Sequence, residues 1–245
     1  MNHSVSALLK QRFVIRLLAS LVLGVCVLPA IGLADDEKAP PSGRSSGGRG
    51  CGTSTLPAAE VPALILLTPN GQSGQTVSTR PTFAWFVRDP APVPVEFRLY
   101  EQANDRFVLV KEIKDDRLRS ASGIMVMSAA GGLPELTVGK RYRWQVELVC
   151  NASRPSSNPF AEAVLDVVPL QAGLKTQLAQ SRDRLDQAKL YAQANLWYDV
   201  LKTAFTPLSS ATRLQALRLS VLDQVAIDAT ERQLLETSSI HAIQR

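Results

Sequence analysis

The stretch Arg141–Cys150 constrains the fold more than any other. Tyr142, Trp144, Val146, Leu148 and Cys150 share one parity, and Arg141, Arg143, Gln145 and Glu147 share the other. A period of two means a strand with one face buried and one wet. Similar short runs precede and follow it, separated by turn residues. Ala63–Leu67 ends at Thr68-Pro69-Asn70-Gly71, and Thr82–Val87 puts Phe83, Trp85 and Val87 on one face. Val95, Phe97 and Leu99 alternate with Glu96 and Arg98, while Phe107–Val110, Ile124–Met127 and Ala163–Val168 are further strand candidates. Over residues 61–168 this rhythm predicts an antiparallel β-sandwich of immunoglobulin or fibronectin type. Trp85 lies where such a sandwich places its core tryptophan. Leu136, Gly139, Tyr142 and Trp144 resemble the corner at which a tyrosine hydroxyl bonds back to upstream backbone.

The pattern changes at Pro169, so the fold class expected is α+β, with an all-α segment over residues 169–245. Helices are predicted at Gly173–Gln180 and at Ser181–Ala194 with Ser181 as N-cap; Asn195 suits the left-handed residue that ends the second. Trp197, Val200, Leu201, Ala204 and Phe205 follow helical spacing up to a stop at Pro207. Ser210 is a candidate cap for a helix carrying Leu214, Leu217, Val221 and Val225, and a short helix is expected near Thr230–Glu236. The two helices around Asn195 look like a tetratricopeptide-type hairpin, present once. A single hairpin cannot bury its own apolar stripe. The stripe is expected to pack mainly on the flanking helices, as a unit distinct from the sheet. Tyr198 and Asp199, off the stripe, would stay accessible as a handle for a partner.

The N-terminus reads as an export signal over residues 1–34. Lys10, Arg12 and Arg16 precede an apolar run from Leu17 to Leu28, and Gly32-Leu33-Ala34 follows Pro29. Val25 before Cys26 argues against a lipoprotein signal, and no twin arginine is present. The apolar run is short for a membrane span, so no stable span is expected after cleavage. Losing those three bases and no acid lowers the net charge from +5 to +2, which removes the argument for a nucleic-acid partner. Residues 35–60, rich in Gly, Pro and Arg, read as a disordered linker. Cys51 and Cys150 would remain as an even pair in an oxidising compartment, and a disulfide between them is expected.

Four segments carry a family resemblance: the Gly/Arg-rich arm ending at Cys51; Thr79–Trp85; Val138–Trp144 running on to Cys150; and Leu190-Tyr191-Ala192 with Leu196–Asp199. Together they resemble the exported, largely cyanobacterial domain-of-unknown-function family 928, over most of residues 45–237. The resemblance implies that Cys51 and Cys150 are framework positions and that Trp197-Tyr198-Asp199 is a family feature. It implies no activity.

Nothing in the composition favours catalysis. His3 and His241 are the two histidines, and His241 sits in a tail expected to fray. Asp115-Asp116 reads as a solvated turn, and Asp183 with Asp186 as a charged helix face. No catalytic residue, cofactor or metal is assigned. Lys140, Arg141, Arg143, Arg80 and Arg88 could line a basic stripe for an envelope glycan, or simply a solvated face paired with Glu96 and Glu147. Asn151-Ala152-Ser153 is a glycosylation sequon that matters only in a eukaryotic secretory route. Trp85, Tyr142, Trp144 and Trp197 are expected in the core. The resulting expectation is an exported, non-catalytic protein-interaction or scaffolding module, periplasmic, cell-surface or extracellular. Its partner would dock on the helical hairpin or a sheet edge. The alternatives are a carbohydrate- or envelope-binding module, and a hydrolase whose pocket would hold at least two acids.

Overall fold

In the computed structural model, Arg141–Leu148 is strand β7, and its apolar parity faces inward while the other carries its charges outward. The structure describes residues 43–45, 50–51, 61–128, 132–205 and 211–243. The expected export signal, most of the expected linker, Pro207 and Ser210 lie outside the described residues. The other strands are β1 (Leu64–Leu66), β2 (Gly74–Thr76), β3 (Thr82–Val87), β4 (Pro94–Ala103), β5 (Arg106–Arg119), β6 (Gly123–Ser128), β8 (Phe160–Val167) and β9 (Ile240–Ile243). They form a four-stranded sheet in the order β1-β3-β6-β9 and a five-stranded sheet in the order β2-β8-β7-β4-β5. Between β8 and β9 run five helices: α1 (Ala172–Gln180), α2 (Arg184–Gln193), α3 (Trp197–Phe205), α4 (Ala211–Val225) and α5 (Ala229–Thr237).

The two sheets pack through aromatic side chains. Phe83 of β3 lies 5.0 Å from Trp144 and 5.1 Å from Phe97 between ring centroids. Trp85, Tyr142 and Trp144 are buried, as the strand parity predicts. The tyrosine corner forms: the Tyr142 hydroxyl accepts from the Thr137 amide at 2.9 Å and donates to Glu101 at 2.9 Å.

Several expectations are corrected. The sheets are mixed, not antiparallel, because β2 runs parallel to β8 and β9 parallel to β6. The C-terminal segment is not all helical, since β9 completes the four-stranded sheet. Gly123 makes that docking possible: the Ile124 amide donates to Ser239 O at 2.8 Å, and a Cβ on Gly123 would sit 2.5 Å from that same oxygen. His241 therefore lies in a strand, with Nε2 2.9 Å from Ser122 O, and does not occupy a loose tail. Asp115-Asp116 falls inside β5, not in a turn, because the second half of the strand continues back along β4. Asp183, not Ser181, caps α2, accepting from the Asp186 amide, and Ser181 instead closes α1. Asn195 has φ 57°, the left-handed turn between α2 and α3.

The linker expectation fails at Gly43–Ser45. The Ser45 amide donates to Leu64 O, and the Leu66 amide donates to Gly43 O, so the segment pairs beside β1. Arg44 is buried. It makes an ion pair with Glu231 of α5 at 2.7 Å and donates to Asn70 at 3.0 Å. The helices are not a unit apart from the sheet: residues of α3, α4 and α5 share one continuous apolar core with both sheets. Cys51 and Cys150 are joined, a separation of 99 residues. In the chain-entropy model a loop of that size contributes about 4–5 kcal/mol.

Candidate functional site

Helix α3 buries most of its circumference, and that decides which surfaces remain for function. The stripe residues Trp197, Val200, Leu201, Ala204 and Phe205 are buried as their spacing predicts. The Trp197 indole N–H donates to Leu67 O at 3.0 Å, so the stripe packs on the β layer as well as on α2 and α4. The expectation that Tyr198 and Asp199 stay accessible is overturned: they are 0% and 5% exposed. Tyr198 enters the aromatic cluster and its hydroxyl accepts from Trp144 Nε1 at 2.8 Å. Gly74 lets it in, since a Cβ there would meet the Tyr198 ring at 2.5 Å. Burial pushes the Tyr198 hydroxyl up to about 12 despite the hydrogen bond from Trp144 that works the other way.

Asp199 clasps α3 to the end of β2. One carboxylate oxygen accepts from the Thr76 hydroxyl at 2.8 Å and from the Val77 amide at 3.0 Å. Burial raises its pKa, more than the Val77 and Thr76 bonds and the Lys202 charge lower it. A carboxyl raised on folding adds stability that is complete below its unfolded pKa of about 3.9 and is lost as pH rises through the folded value. Ionised Asp199 thus weighs against the fold at neutral pH. Asp199→Asn keeps the acceptor and removes the charge. Its stability relative to wild type is expected to rise from about pH 4 to pH 7. Urea midpoints at both pH values check this, and a gap that shrinks toward neutrality would contradict it.

Three of the clefts among the described residues bear on function. One of about 560 Å³ lies between residues 69–75 and the α2–α3 turn, with Gln224 of α4 at its rim. A second, of about 410 Å³, is bordered by Asp199, Arg184, Tyr191 and Lys202. The third, of about 310 Å³, holds Glu96, Asp115, Asp116 and Glu147 beside Arg98 and Lys114. A pocket with at least two acids is what the hydrolase alternative requires. Three of its four acids, Glu96, Glu147 and Asp115, are however engaged. Arg98 pairs with Glu96, with Glu112 at 2.8 Å and with Glu147 at 2.7 Å, and Lys114 pairs with Glu96 at 2.7 Å. Asp115 pairs with Arg117 at 3.0 Å. Among the described residues no group of three His, Cys, Asp or Glu side chains is placed to hold a metal ion.

The basic stripe is not a free surface. Arg88 is buried against Asp89, Arg80 pairs with Glu135, Lys140 with Glu101, and Arg143 with Glu162. Arg141 meets Asp166 at 2.6 Å. Burial would raise the Asp166 carboxyl, but Arg141 and the Ser73 hydroxyl outweigh it and hold it below the usual range. Asp183 is spent as a helix cap, and Asp186 pairs with Lys189 at 3.4 Å.

The sheet edge that sequence reasoning left unassigned is the outer edge of β5. The hairpin from β4 turns at Asn104 and Asp105, φ 47° and 62°, the left-handed pair of a tight two-residue turn. Val108, Leu109 and Val110 follow at 53%, 48% and 41% exposure, on a strand that among the described residues pairs only with β4. The run Phe107–Val110 carried the signal, but an apolar run by itself reads as buried.

A family model described as Domain of Unknown Function (DUF928) matches residues 44–235. Comparison with curated proteins and with solved structures gives no match.

Proposed function

The chain belongs to the DUF928 family, and on that footing we propose an exported, non-catalytic interaction module that docks a protein partner on the outer edge of β5. The observation that carries this reading is the exposure of three consecutive apolar residues, Val108, Leu109 and Val110, on an open sheet edge. Edges of this kind are templates for an added strand. The rival route, the helical hairpin, loses its two candidate contacts because Tyr198 and Asp199 are buried.

The edge also limits its partner. Leu99 pairs with Lys111 and Tyr100 with Leu109, so Val110 is an unpaired bulge residue that interrupts the ladder. Only Arg106–Leu109 offers a regular length on the hairpin side, enough for a short extended segment. Arg143 lies over the Phe107 ring at 4.4 Å and over the Tyr100 ring at 5.2 Å, stiffening the sheet face beside it. Arg106 and Lys111 flank the apolar triplet, so the complementary segment is apolar with carboxylates at its ends.

The acids of the 310 Å³ cleft support the non-catalytic reading. Glu96 and Glu147 are both held by the guanidinium of Arg98, and Glu96 also by Lys114, so these two carboxylates serve the sheet as ion-pair partners. The disulfide fits an oxidising setting and so supports export. Among the described residues no helix is long and apolar enough to cross a membrane. The Tyr142 corner and the buried Trp85 and Trp144 support an immunoglobulin-like reading of the sheets, with two parallel pairings added.

A photo-crosslinking side chain at Val108, compared with one at exposed Lys175 on α1, tests the proposal in envelope extracts. A discrete adduct is expected from position 108 alone, lost when Leu109→Lys is added. The same products from both positions, or none from position 108, would overturn it.

A further inference from the structure

We infer that the 560 Å³ cleft is a second binding site, for an uncharged, hydroxyl-rich ligand of the neutral-saccharide class. Its size lies within the range of small-molecule sites. Its polar lining is made of the amides of Gln72, Gln75, Asn195 and Gln224, with apolar contact from Trp197 and Val200. None of the residues lining it is charged. Each amide offers both donors and acceptors, the complement of a hydroxyl group that is also both. Gln72, Gln75 and Asn195 make no side-chain hydrogen bond among the described residues, so their capacity is unspent. Gln224 spends one donor on Ser220 O at 3.2 Å, and Ser73 is committed to Asp166 at 2.9 Å.

The framework behind the amides is set before any ligand arrives. Asn195 is held in the left-handed turn between α2 and α3, and the Trp197 ring is pinned by its bond to Leu67 O at 3.0 Å. Ligand binding therefore orders few groups, which lowers its entropic cost. A charged ligand would be desolvated there without a counter-charge. Strand addition by a peptide at the end of β2 is disfavoured. The end of β2 is already taken, as Asp199 accepts from the Val77 amide and the Thr76 hydroxyl.

The tryptophans provide a local probe. Trp85 and Trp144 are completely buried, and Trp197 alone of the three lines this cleft. The full chain is titrated with cellotriose and with chitotriose, both neutral, and in parallel with anionic trigalacturonate and with trialanine. Calorimetry and tryptophan emission are read together. Saturable binding of a neutral trisaccharide, with a Kd in the range of about 0.1–5 mM, is expected. Asn195→Gly keeps the left-handed backbone and removes one amide, and Gln75→Ala removes another. Each is expected to weaken binding about tenfold while the melting temperature stays near wild type. Absence of binding by both neutral probes at about 10 mM would overturn the inference. So would affinity unchanged in both variants, or tighter binding of trigalacturonate or trialanine.

Discussion

Trp144→Ala is expected to destabilise the protein by about 3–5 kcal/mol, the range for a fully buried large aromatic. The ring is 0% exposed and lies against Phe83, Phe97 and Tyr198 at centroid distances of 5.0, 6.2 and 6.4 Å. Truncation opens a cavity where the two sheets and α3 meet, so the loss should reach both. The conservative control is Tyr198→Phe. It keeps the ring and removes the hydroxyl that accepts from Trp144 Nε1, leaving a buried indole donor unpaired at a cost of about 1–3 kcal/mol. Urea unfolding followed by far-ultraviolet circular dichroism measures both. A single transition shifted as a whole is expected. Early loss of helix signal with the sheet intact would contradict the shared core.

Breaking the Arg44–Glu231 pair should cost as much. The two side chains are 2% and 1% exposed, and 187 residues separate them. Glu231→Ala strands the Arg44 guanidinium in the interior, where an unpaired charge costs about 3–5 kcal/mol. Arg44→Met leaves the Glu231 carboxylate with the Ile227 amide at 3.1 Å and no cation. Its cost is expected in the same range. The double variant Arg44→Met, Glu231→Leu buries no charge and should recover much of the loss, because the desolvation penalty disappears with the pair. Recovery should be incomplete, since Glu231 also closes the start of α5 by accepting from Ile227. A double-mutant cycle in urea reads the coupling. Single variants within about 1 kcal/mol of wild type would show that water reaches the pair.

These two sites differ in how far the sequence foretells them. Trp144 is legible: its parity with Tyr142, Val146 and Leu148 places it in the core, and the structure has all four buried. The same holds for β3, for the left-handed turn at Asn195, for the stripe on α3 and for the Tyr142 corner. Each rests on a period or a turn preference that acts within a few residues. The pairing of Cys51 with Cys150 follows from counting once the compartment is inferred.

Arg44 is different. It stands among glycines and serines, a composition that reads as solvated chain, and nothing nearby announces Glu231. Tyr198 and Asp199 fail for a related reason. Periodicity identifies one apolar face of a helix, but α3 is enclosed on more sides than one. Its polar groups can be buried because Trp144, Thr76 and Val77 supply their hydrogen bonds. Strands β2 and β9 are three and four residues long, too short to show an alternation, and both pair in parallel with distant segments. At β5 the sequence marks an apolar run, and its exposure follows from the sheet order, which places that strand at an edge. Backbone periodicity is a local property and can be read from the chain alone. The satisfaction of a buried charge, the covering of a helix face and the position of a strand in its sheet depend on residues far away in sequence, and only the tertiary structure brings those together.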